Sequence, residues 1–329
     1  MLDQDRLPYS RIFVSPSGLV EFYEVDCLEW LPKQLDHSFH AVVTDPPYGM
    51  LEYTPEQMRK LRAGRGGVWR IPPAIGGHRR SPVPRFTILR DSDLAALYSF
   101  FNGWGRILFP KLVPGAHVLI ATSPLFSHVI SQAMVDAGYE KRGEIVRLTQ
   151  TLRGGDRPKN AEREFPDVSV MPRSAWEPWV LFRKPCEGTV AENLRKWRTG
   201  GLRREADGPF RDVILSSPTR PEERRLAPHP NLKPQAFLRR IVRAMLPLGE
   251  GIVLDPFAGS GSTLAACEAV GYKGVGVEID AEYVTVAQRA IPLLSRISLP
   301  QPPSVVPDGA GRTSGRGKPR SPRASSPPT

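Results

Sequence analysis

The sequence lacks long apolar segments and has few cysteines. Its apolar residues come in short runs such as HAVVT (40–44) and GIVLD (251–255), well below the roughly 18 consecutive apolar residues that a membrane span needs. The first ten residues have neither the basic start nor the apolar core of a secretory signal. The three cysteines, Cys27, Cys186 and Cys267, lack the spacing of a metal site or a disulfide framework. We therefore expect a cytoplasmic protein with reduced thiols, no bound metal and no membrane contact.

Acidic residues are also fewer than basic residues. The chain has 34 Asp and Glu against 45 Lys and Arg, for a formal net charge of +11. Residues 298–329 hold five of the basic residues and one acidic residue, so the rest of the chain still carries +7. This tail is rich in Pro, Ser, Gly and Arg, and we expect it to be disordered because it cannot bury enough apolar surface to fold. A basic body suits a protein that neutralises phosphates, although charge alone does not establish nucleic-acid binding.

Short apolar runs alternate with amphipathic stretches, which predicts an α/β fold with a mostly parallel sheet covered by helices. The predicted strands are 20–25, 40–44, 117–121, 144–148, 179–183, 251–255 and 274–278. The predicted helices are 91–108, 127–137, 234–246, 262–270 and 281–294. In doubly wound sheets, ligands bind where the parallel strands end.

The motif DPPYG (45–49) directly follows the apolar run AVVT. Two prolines end the strand, stiffen the turn and remove backbone donors. Asp45 and the Pro46 carbonyl can accept the two N–H protons of a base amino group, and Tyr48 can stack on the base ring. The turn therefore suits a planar base that carries an exocyclic amine.

A second motif, DPFAGSGST (255–263), lies between the strand GIVLD and an amphipathic segment. Gly259 and Gly261 allow a tight turn and a close approach of the backbone to a nucleotide-type ligand. The absence of a lysine after the glycines excludes a phosphate-binding P-loop. Glu278 ends the next predicted strand, near the offset at which an acidic residue meets ribose hydroxyls, a feature that a dehydrogenase would share.

Together, DPPYG and DPFAGSG resemble the amino-methyltransferases of DNA far more than any dehydrogenase. In that family DPPY is the catalytic motif and FxGxG is the S-adenosylmethionine loop, and the motif order found here is similar to their circularly permuted beta group. The segments VDCLEWL (25–31), HPNLKP (229–234) and WEPWVLFRKP (176–185) resemble further family segments. The resemblance implies a Rossmann-like methyltransferase fold with a mostly parallel seven-stranded sheet. It also implies methyl transfer to an exocyclic amine of a flipped-out base, adenine N6 in preference to cytosine N4.

The resemblance assigns roles to particular residues. The catalytic turn comprises Asp45, Pro46, Pro47 and Tyr48. The implied S-adenosylmethionine site comprises Asp26, Cys27, Lys233, Asp255, Phe257, Ala258, Gly259, Ser260, Gly261, Ser262, Thr263, Glu278 and Ile279. The HPNLKP segment departs from family members, which often have small polar residues in place of Asn231 and Leu232.

Two arginine-rich stretches, 51–90 and 186–228, break the alternation of strands and helices. The second contains NLRKWRTGGLRR (193–204), in which basic residues flank an aromatic ring, a pattern that suits phosphate contact and base stacking. Its predicted DNA-binding residues are Arg195, Lys196, Trp197, Arg203 and Arg204. The stretch 51–90 is the alternative DNA-binding segment.

We accordingly divide the chain into five regions: an N-terminal extension (1–19), a catalytic half (20–185, with insert loop 51–90), a target-recognition region (186–228), a cofactor-binding half (229–297) and the basic tail (298–329). The resemblance implies double-stranded DNA as the substrate and a nucleoid-associated protein of bacterial, archaeal or phage origin. It leaves open a homodimer and a cognate restriction endonuclease as partners.

Three other functions compete with adenine methylation. Cytosine N4 presents the same pair of N–H groups, although an Asp at position 45 favours adenine and a Ser would favour cytosine. Methyltransferases of RNA or of protein glutamine use a similar turn that an Asn usually heads. An inactive DNA-binding module would be expected to have lost Asp45, Tyr48 or a loop glycine. Pro185 and Cys186 superficially resemble the motif of cytosine C5 enzymes, but they follow a strand and lack the partner residues, so we interpret Cys186 as structural.

Overall fold

The computed structural model describes residues 11–46, 91–149, 157–158, 160–229 and 232–299, and only the backbone of 74–75 and 78–79. Pro47, Tyr48, most of the insert loop 51–90 and the tail from residue 300 lie outside the described residues. The sheet and helices belong to one compact unit, Met1–Ser298. No helix within the described residues is long and apolar enough to cross a membrane.

The described residues form eleven strands and eight α-helices. The strands are β1 (Arg11–Val14), β2 (Val20–Glu24), β3 (Phe39–Thr44), β4 (Ala74–Ile75), β5 (His78–Arg79), β6 (Leu112–Ala121), β7 (Glu140–Leu148), β8 (Trp176–Arg183), β9 (Val213–Leu215), β10 (Ile252–Asp255) and β11 (Lys273–Glu278). The helices are α1 (Cys27–Trp30), α2 (Asp91–Leu108), α3 (Ser127–Asp136), α4 (Val190–Trp197), α5 (Pro221–Leu226), α6 (Gln235–Met245), α7 (Ser262–Val270) and α8 (Ala281–Leu294).

Nine of the described strands form one sheet in the order β1-β2-β11-β10-β3-β6-β8-β7-β9, and β4 pairs only with β5. Each of the seven predicted strands is present. The prediction of a mostly parallel sheet is confirmed, but the sheet is mixed and has nine strands where seven were predicted, because β1 and β9 extend it and β8 runs antiparallel to both of its neighbours. The turn between β1 and β2 is too short for a parallel crossover, so β1, from the predicted N-terminal extension, pairs antiparallel with β2.

Helices cover both faces of the sheet. On β3, Val42 packs into a core with α1, α2 and α3, whereas Ala41 and Val43 face a second core with α6, α7 and α8. Successive residues of a strand point to opposite faces, so a strand that is apolar at consecutive positions belongs in the middle of such a sandwich. The five predicted helices are present to within one residue at each end, and α1, α4 and α5 are additional.

Strand direction defines two edges of the sheet. The neighbouring parallel strands β2, β11, β10, β3 and β6 all end at one edge, which we call the carboxyl edge, and begin at the opposite amino edge. Since β8 runs antiparallel to β6, its last residue, Arg183, lies at the amino edge beside His117. The residues that follow β8 therefore start at the amino edge.

The segment 186–204 is built into this amino edge. Asn193 is fully buried on α4, and its side-chain amide donates to the carbonyls of Pro114, near the start of β6, and Thr199. Arg198 pairs with Glu250, just before β10, and Arg203 donates to the Tyr272 hydroxyl, just before β11. These contacts make the segment part of the core domain.

Candidate active site

The carboxyl edge brings together acidic residues from four neighbouring strands. Asp45 follows β3, Asp255 ends β10, Glu278 ends β11 and Asp26 lies two residues after β2. Because these strands are adjacent and parallel, residues from distant parts of the chain meet along one edge. The described residues of the predicted catalytic turn and of the glycine loop both lie there.

Asp255 joins the two predicted motifs. Its side chain is buried, and its Oδ1 accepts a hydrogen bond from the Thr44 hydroxyl at 2.7 Å and one from the Phe257 N–H at 3.3 Å. Burial raises the pKa of Asp255 to about 7, against the lowering effect of the hydroxyl donors Thr44 and Thr263, and the charge of Asp45 raises it further. Asp255 therefore ties the end of β10 to the end of β3.

The glycine loop after β10 is shaped by contacts with the rest of the protein. Gly259 and Gly261 have φ values of +51° and +78°, which non-glycine residues adopt at a cost. A Cβ on Gly261 would lie 2.6 Å from Ile291 Cγ1 of α8, whereas a Cβ on Gly259 would lie 3.3 Å from His229 Nε2. The position of a Cβ at Gly261 is therefore already filled by Ile291 of α8, which gives a packing reason for a glycine here.

Glu278 faces the glycine loop from the adjacent strand. Its Oε2 accepts the Gly259 N–H at 2.8 Å, and its Oε1 accepts the N–H groups of Ile279 and Asp280 at 2.9 Å each. A carboxylate offers about four acceptor positions, so these three bonds orient it and leave capacity for one hydroxyl donor. The apolar side chain of Ile279 is 67% exposed beside it. A ribose hydroxyl and an adenine face would match these two side chains.

The segment after β2 approaches the same strand end. The Val25 N–H donates to the Glu278 carbonyl at 2.9 Å, and the Asp26 carboxylate caps α1 by accepting the Leu28 N–H at 2.8 Å. Cys27 is buried, and burial, together with the nearby Asp26 and Glu278 carboxylates, raises the pKa of its thiol to about 12. The Cys27 thiol is therefore neutral, and its side chain is packed in the protein interior next to the carboxyl edge.

Aromatic rings pack around the loop. Phe257 lies against Phe100 and Trp104 of α2, with ring centroids 6.1 and 5.8 Å apart. On the other side, the His229 ring meets Tyr283 edge-on at 4.5 Å. Burial lowers the pKa of His229 to about 4, and the nearby Lys233 charge lowers it in the same direction. His229 is therefore a neutral donor or acceptor beside Gly259 at physiological pH.

Lys233 binds the predicted catalytic carboxylate. Its Nζ lies 2.7 Å from Asp45 Oδ2 and 3.6 Å from Glu177 Oε1, and its side chain is 4% exposed. The sequence assigned Lys233 to the cofactor site, but the structure places its ammonium group on Asp45. Any cofactor contact of Lys233 would have to coexist with this ion pair.

Glu177 and Arg147 are the functional candidates that the sequence did not single out. Arg147 Nη1 donates to Glu177 Oε2 at 3.3 Å, and the Trp179 indole donates to Glu177 Oε1 at 2.8 Å. Burial raises the pKa of Glu177, but the charges of Lys233 and Arg147 outweigh it and hold the pKa below its usual range. A carboxylate inside the otherwise apolar strand WEPWVLF was the available signal.

The predicted DNA-binding residues of 193–204 lie at the amino edge. The six-residue strand β3 separates this edge from Asp45, which corresponds to about 20 Å at the usual rise per residue. The Trp197 indole donates to Glu187 at 2.7 Å and its ring packs on His37, while Lys196 also pairs with Glu187. These positions argue against base stacking by Trp197 on a target held at Asp45. Cys186, whose Sγ lies 3.2 Å from the position of a Cβ on Gly200, is at the same distant edge.

Comparisons with known proteins find a matching family and several relatives. The profile of a family described as DNA methylase, of the N6/N4 type, matches residues 39–289. The Type II methyltransferase M2.DpnII of Streptococcus pneumoniae is 33% identical over 268 residues, covering 81% of this chain and 87% of that protein. The DNA adenine methyltransferase YhdJ of Escherichia coli is 46% identical over 70 residues, covering 21% of this chain and 24% of YhdJ.

A solved structure with a similar fold is the PvuII DNA methyltransferase, described as cytosine-N4-specific. The two chains superpose with a TM-score of 0.56 at 14% sequence identity, over 89% of this chain and 90% of that one. The likeness supports the α/β methyltransferase fold.

Gly261→Ala should destabilise the protein more than Gly259→Ala. Both positions have positive φ, which costs about 1–2 kcal/mol for a residue with a Cβ, but only Gly261 faces the packed Ile291 side chain. We expect the added overpacking to cost about 1–3 kcal/mol more at position 261. Urea denaturation of the two variants measures the difference, and equal losses would contradict the assigned contact with α8.

Asp255 should make stability depend on pH. Its pKa is raised from 3.8 to about 7 on folding, so its contribution is fully present below about pH 4 and is lost as pH rises through 7. Asp255→Asn removes this dependence while keeping an acceptor for Thr44. We expect the free energy of unfolding of the variant, relative to wild type, to rise by up to about 4 kcal/mol between pH 4 and pH 8. A difference that is constant over this range, measured by chemical denaturation, would show that Asp255 ionises normally.

Proposed function

Because the chain belongs to the DNA methylase family of the N6/N4 type, we propose that it methylates adenine N6 in double-stranded DNA. The observation that carries the proposal is the position of Asp45, which heads the DPPY motif at the carboxyl edge, beside the strand that leads into the glycine loop. An Asp at this position favours adenine by the family resemblance. The local similarity to a protein named as a DNA adenine methyltransferase supports the same base.

The cofactor is S-adenosylmethionine, and the described residues fit it. Glu278 is oriented by three backbone donors and has acceptor capacity for a ribose hydroxyl, and Ile279 offers an exposed apolar contact for the adenine. Helix α7 begins after Gly261 without a side-chain cap, so its first N–H groups can meet a carboxylate. We infer that Asp26, Cys27 and the loop from Phe257 to Thr263 complete this site.

Asp45 and Pro46 act on the amine of the target base. The lone pair of an exocyclic amine is delocalised into the ring, which makes the nitrogen a weak nucleophile. Hydrogen bonds from the amine to the Asp45 carboxylate and the Pro46 carbonyl favour a more tetrahedral nitrogen and stabilise its developing positive charge. When bound, S-adenosylmethionine supplies an activated methyl group on a sulfonium. The new N–C bond would form as the C–S bond of the donor breaks, and the nitrogen would then release its extra proton to solvent.

A flipped-out base requires that the DNA duplex approach the carboxyl edge. The connection between β7 and β8 lies at this edge, because β7 ends there and β8 begins there. Its described part carries exposed arginines at 157, 163 and 173, and the exposed apolar side chains Phe165 and Val170. Basic and apolar side chains together suit phosphate contact and base contact. We propose that this connection contributes to the DNA surface, together with the insert loop 51–90.

Replacing Asp45 should remove chemistry while sparing cofactor binding. Asp45→Ala should lower the rate of methyl transfer by a factor of about 100 to 1,000, the usual loss for one preorganised hydrogen-bonding group, and leave S-adenosylmethionine affinity nearly unchanged. The measurement is single-turnover transfer of a labelled methyl group to duplex DNA, with the modified base identified after hydrolysis. Asp36→Ala, which removes an exposed aspartate that pairs with Lys111, is the control.

The product of this assay decides between the two bases. Formation of N6-methyladenine would support the proposal. Formation of N4-methylcytosine would mean that Asp45 acts in the same way on cytosine and that adenine is not the substrate base. Transfer by Asp45→Ala within about threefold of wild type, equivalent to about 0.65 kcal/mol of barrier, would overturn the catalytic role of Asp45.

Two triple variants should locate the DNA surface. Changing Arg157, Arg163 and Arg173 to Ala should reduce the slope of log affinity against log salt by up to about 2.7, since each lost phosphate contact removes about 0.9. Changing Arg195, Lys196 and Arg204 to Ala removes the same charge from the amino edge and should leave the slope unchanged. The measurement is a set of binding titrations with duplex DNA at several salt concentrations. A reduced slope in the second variant alone would show that the DNA-binding surface includes the 193–204 segment instead.

A further inference from the structure

Four charged side chains alternate in sign across the carboxyl edge. Arg147 on β7 lies 3.3 Å from Glu177 on β8, Glu177 lies 3.6 Å from Lys233, and Lys233 lies 2.7 Å from Asp45. Their side chains are between 4% and 18% exposed. The row is therefore a shielded network in which each interior charge has an opposite charge on both sides.

Arg147 and Glu177, the two members of the network farthest from Asp45, are fixed by further contacts. Arg147 donates from Nε to the Ser216 hydroxyl at 2.9 Å, and its guanidinium lies over the Phe237 ring of α6, 5.4 Å from the centroid. Glu177 is fixed in turn by the Trp179 indole N–H at 2.8 Å. Lys233 immediately precedes Pro234, which leads into α6, so its backbone is anchored as well. The one member that lies beside the reacting base in the proposed function is Asp45.

We propose that Lys233 is a positioning residue for the methyl transfer: it keeps the Asp45 carboxylate ionised and engages its Oδ2 atom, while Glu177 and Arg147 hold Lys233 in place. The inference rests on the proposed function of Asp45. Protonation of Asp45 would turn one of its acceptor oxygens into an O–H donor. That oxygen could then no longer accept a hydrogen bond from the amine. Lys233 thus acts on the reaction through Asp45, and a cofactor contact is not required for its effect.

The charges around Asp45 predict the effect of each substitution. Within the described residues, the charged or titratable groups near Asp45 or Lys233 include Glu177, Arg147, Asp255 and His229. Lys233→Met removes the positive charge that pairs with both the Asp45 and the Glu177 carboxylates. An opposite charge at this distance usually shifts a carboxyl titration by about one to three units, so Asp45 should take up its proton at a pH higher by about that amount. Glu177→Gln removes the competing acceptor of Lys233 and should shift the titration to lower pH.

The experiment follows the Asp45 carboxyl directly. Full-length protein labelled with ¹³C at the aspartate side-chain carboxyl is titrated by NMR, and the Asp45 signal is identified by its loss in Asp45→Asn. We expect the midpoint to rise in Lys233→Met, to fall in Glu177→Gln and to stay near wild type in Lys233→Arg. This readout needs no substrate, so it separates failure of the inference from failure of the proposed function. The acid limb of the pH–rate profile for DNA methylation should shift in the same directions.

Lys184→Met is the matched control. Lys184 is also buried and donates to the carbonyls of Phe109 and Leu112, but it lies at the amino edge. Its loss should lower stability without moving the Asp45 midpoint. The affinity of Lys233→Met for S-adenosylmethionine should stay within about threefold of wild type. An unmoved midpoint in both Lys233→Met and Glu177→Gln would overturn the proposal, and if cofactor affinity then fell more than tenfold, Lys233 would belong to the cofactor site.

Discussion

The parallel pairing of β3 with β10 is the constraint on which the site depends. Thr44 and Asp255 are 211 residues apart in the sequence, yet their side chains share a hydrogen bond of 2.7 Å at the ends of these two strands. That contact sets Asp45 and Pro46, which follow Thr44, beside the strand that leads into the glycine loop. In the proposed function, the base amine and the methyl donor would meet between them. The order of the motifs along the chain is immaterial to this geometry, because only the neighbour relation of the strands determines it.

The sequence predicted most of the architecture because each central strand is apolar on both faces and ends in a polar turn. The seven predicted strands and five predicted helices are all present. The strands β1 and β9 were missed because they have only four and three residues and are partly exposed, which leaves no clear periodicity. Helix α4 was missed although Thr189 and Glu192 form a capping box, a signal that the sequence does contain.

The position of the basic segment could not be predicted in the same way. The sequence places 193–204 after a strand, and a polar segment after a strand is normally at the carboxyl edge of a parallel sheet. Since β8 runs antiparallel to β6, the residues after it lie at the opposite edge. The partner of Lys233 was equally hidden, because the ion pair joins the residue after β3 to the segment before α6, and these are far apart in the sequence.

Two aspartates at neighbouring strand ends are given different chemistry by their partners. Asp255 is buried among neutral hydroxyl and amide donors, so the cost of burying a charge prevails and its pKa rises to about 7. Asp45 is also largely enclosed, but it meets an ammonium group at 2.7 Å, which offsets that cost. In the proposed function the two sets of partners are not interchangeable: a lysine beside Asp255 would place a charge inside the cofactor strand, and Asp45 without Lys233 would lose the ion pair that engages its Oδ2 atom. If Asp45 is the reactive carboxylate of the proposed function, it differs from the structural Asp255 because of what the fold packs against each: the ammonium group of Lys233 against Asp45, and hydroxyl and amide donors against Asp255.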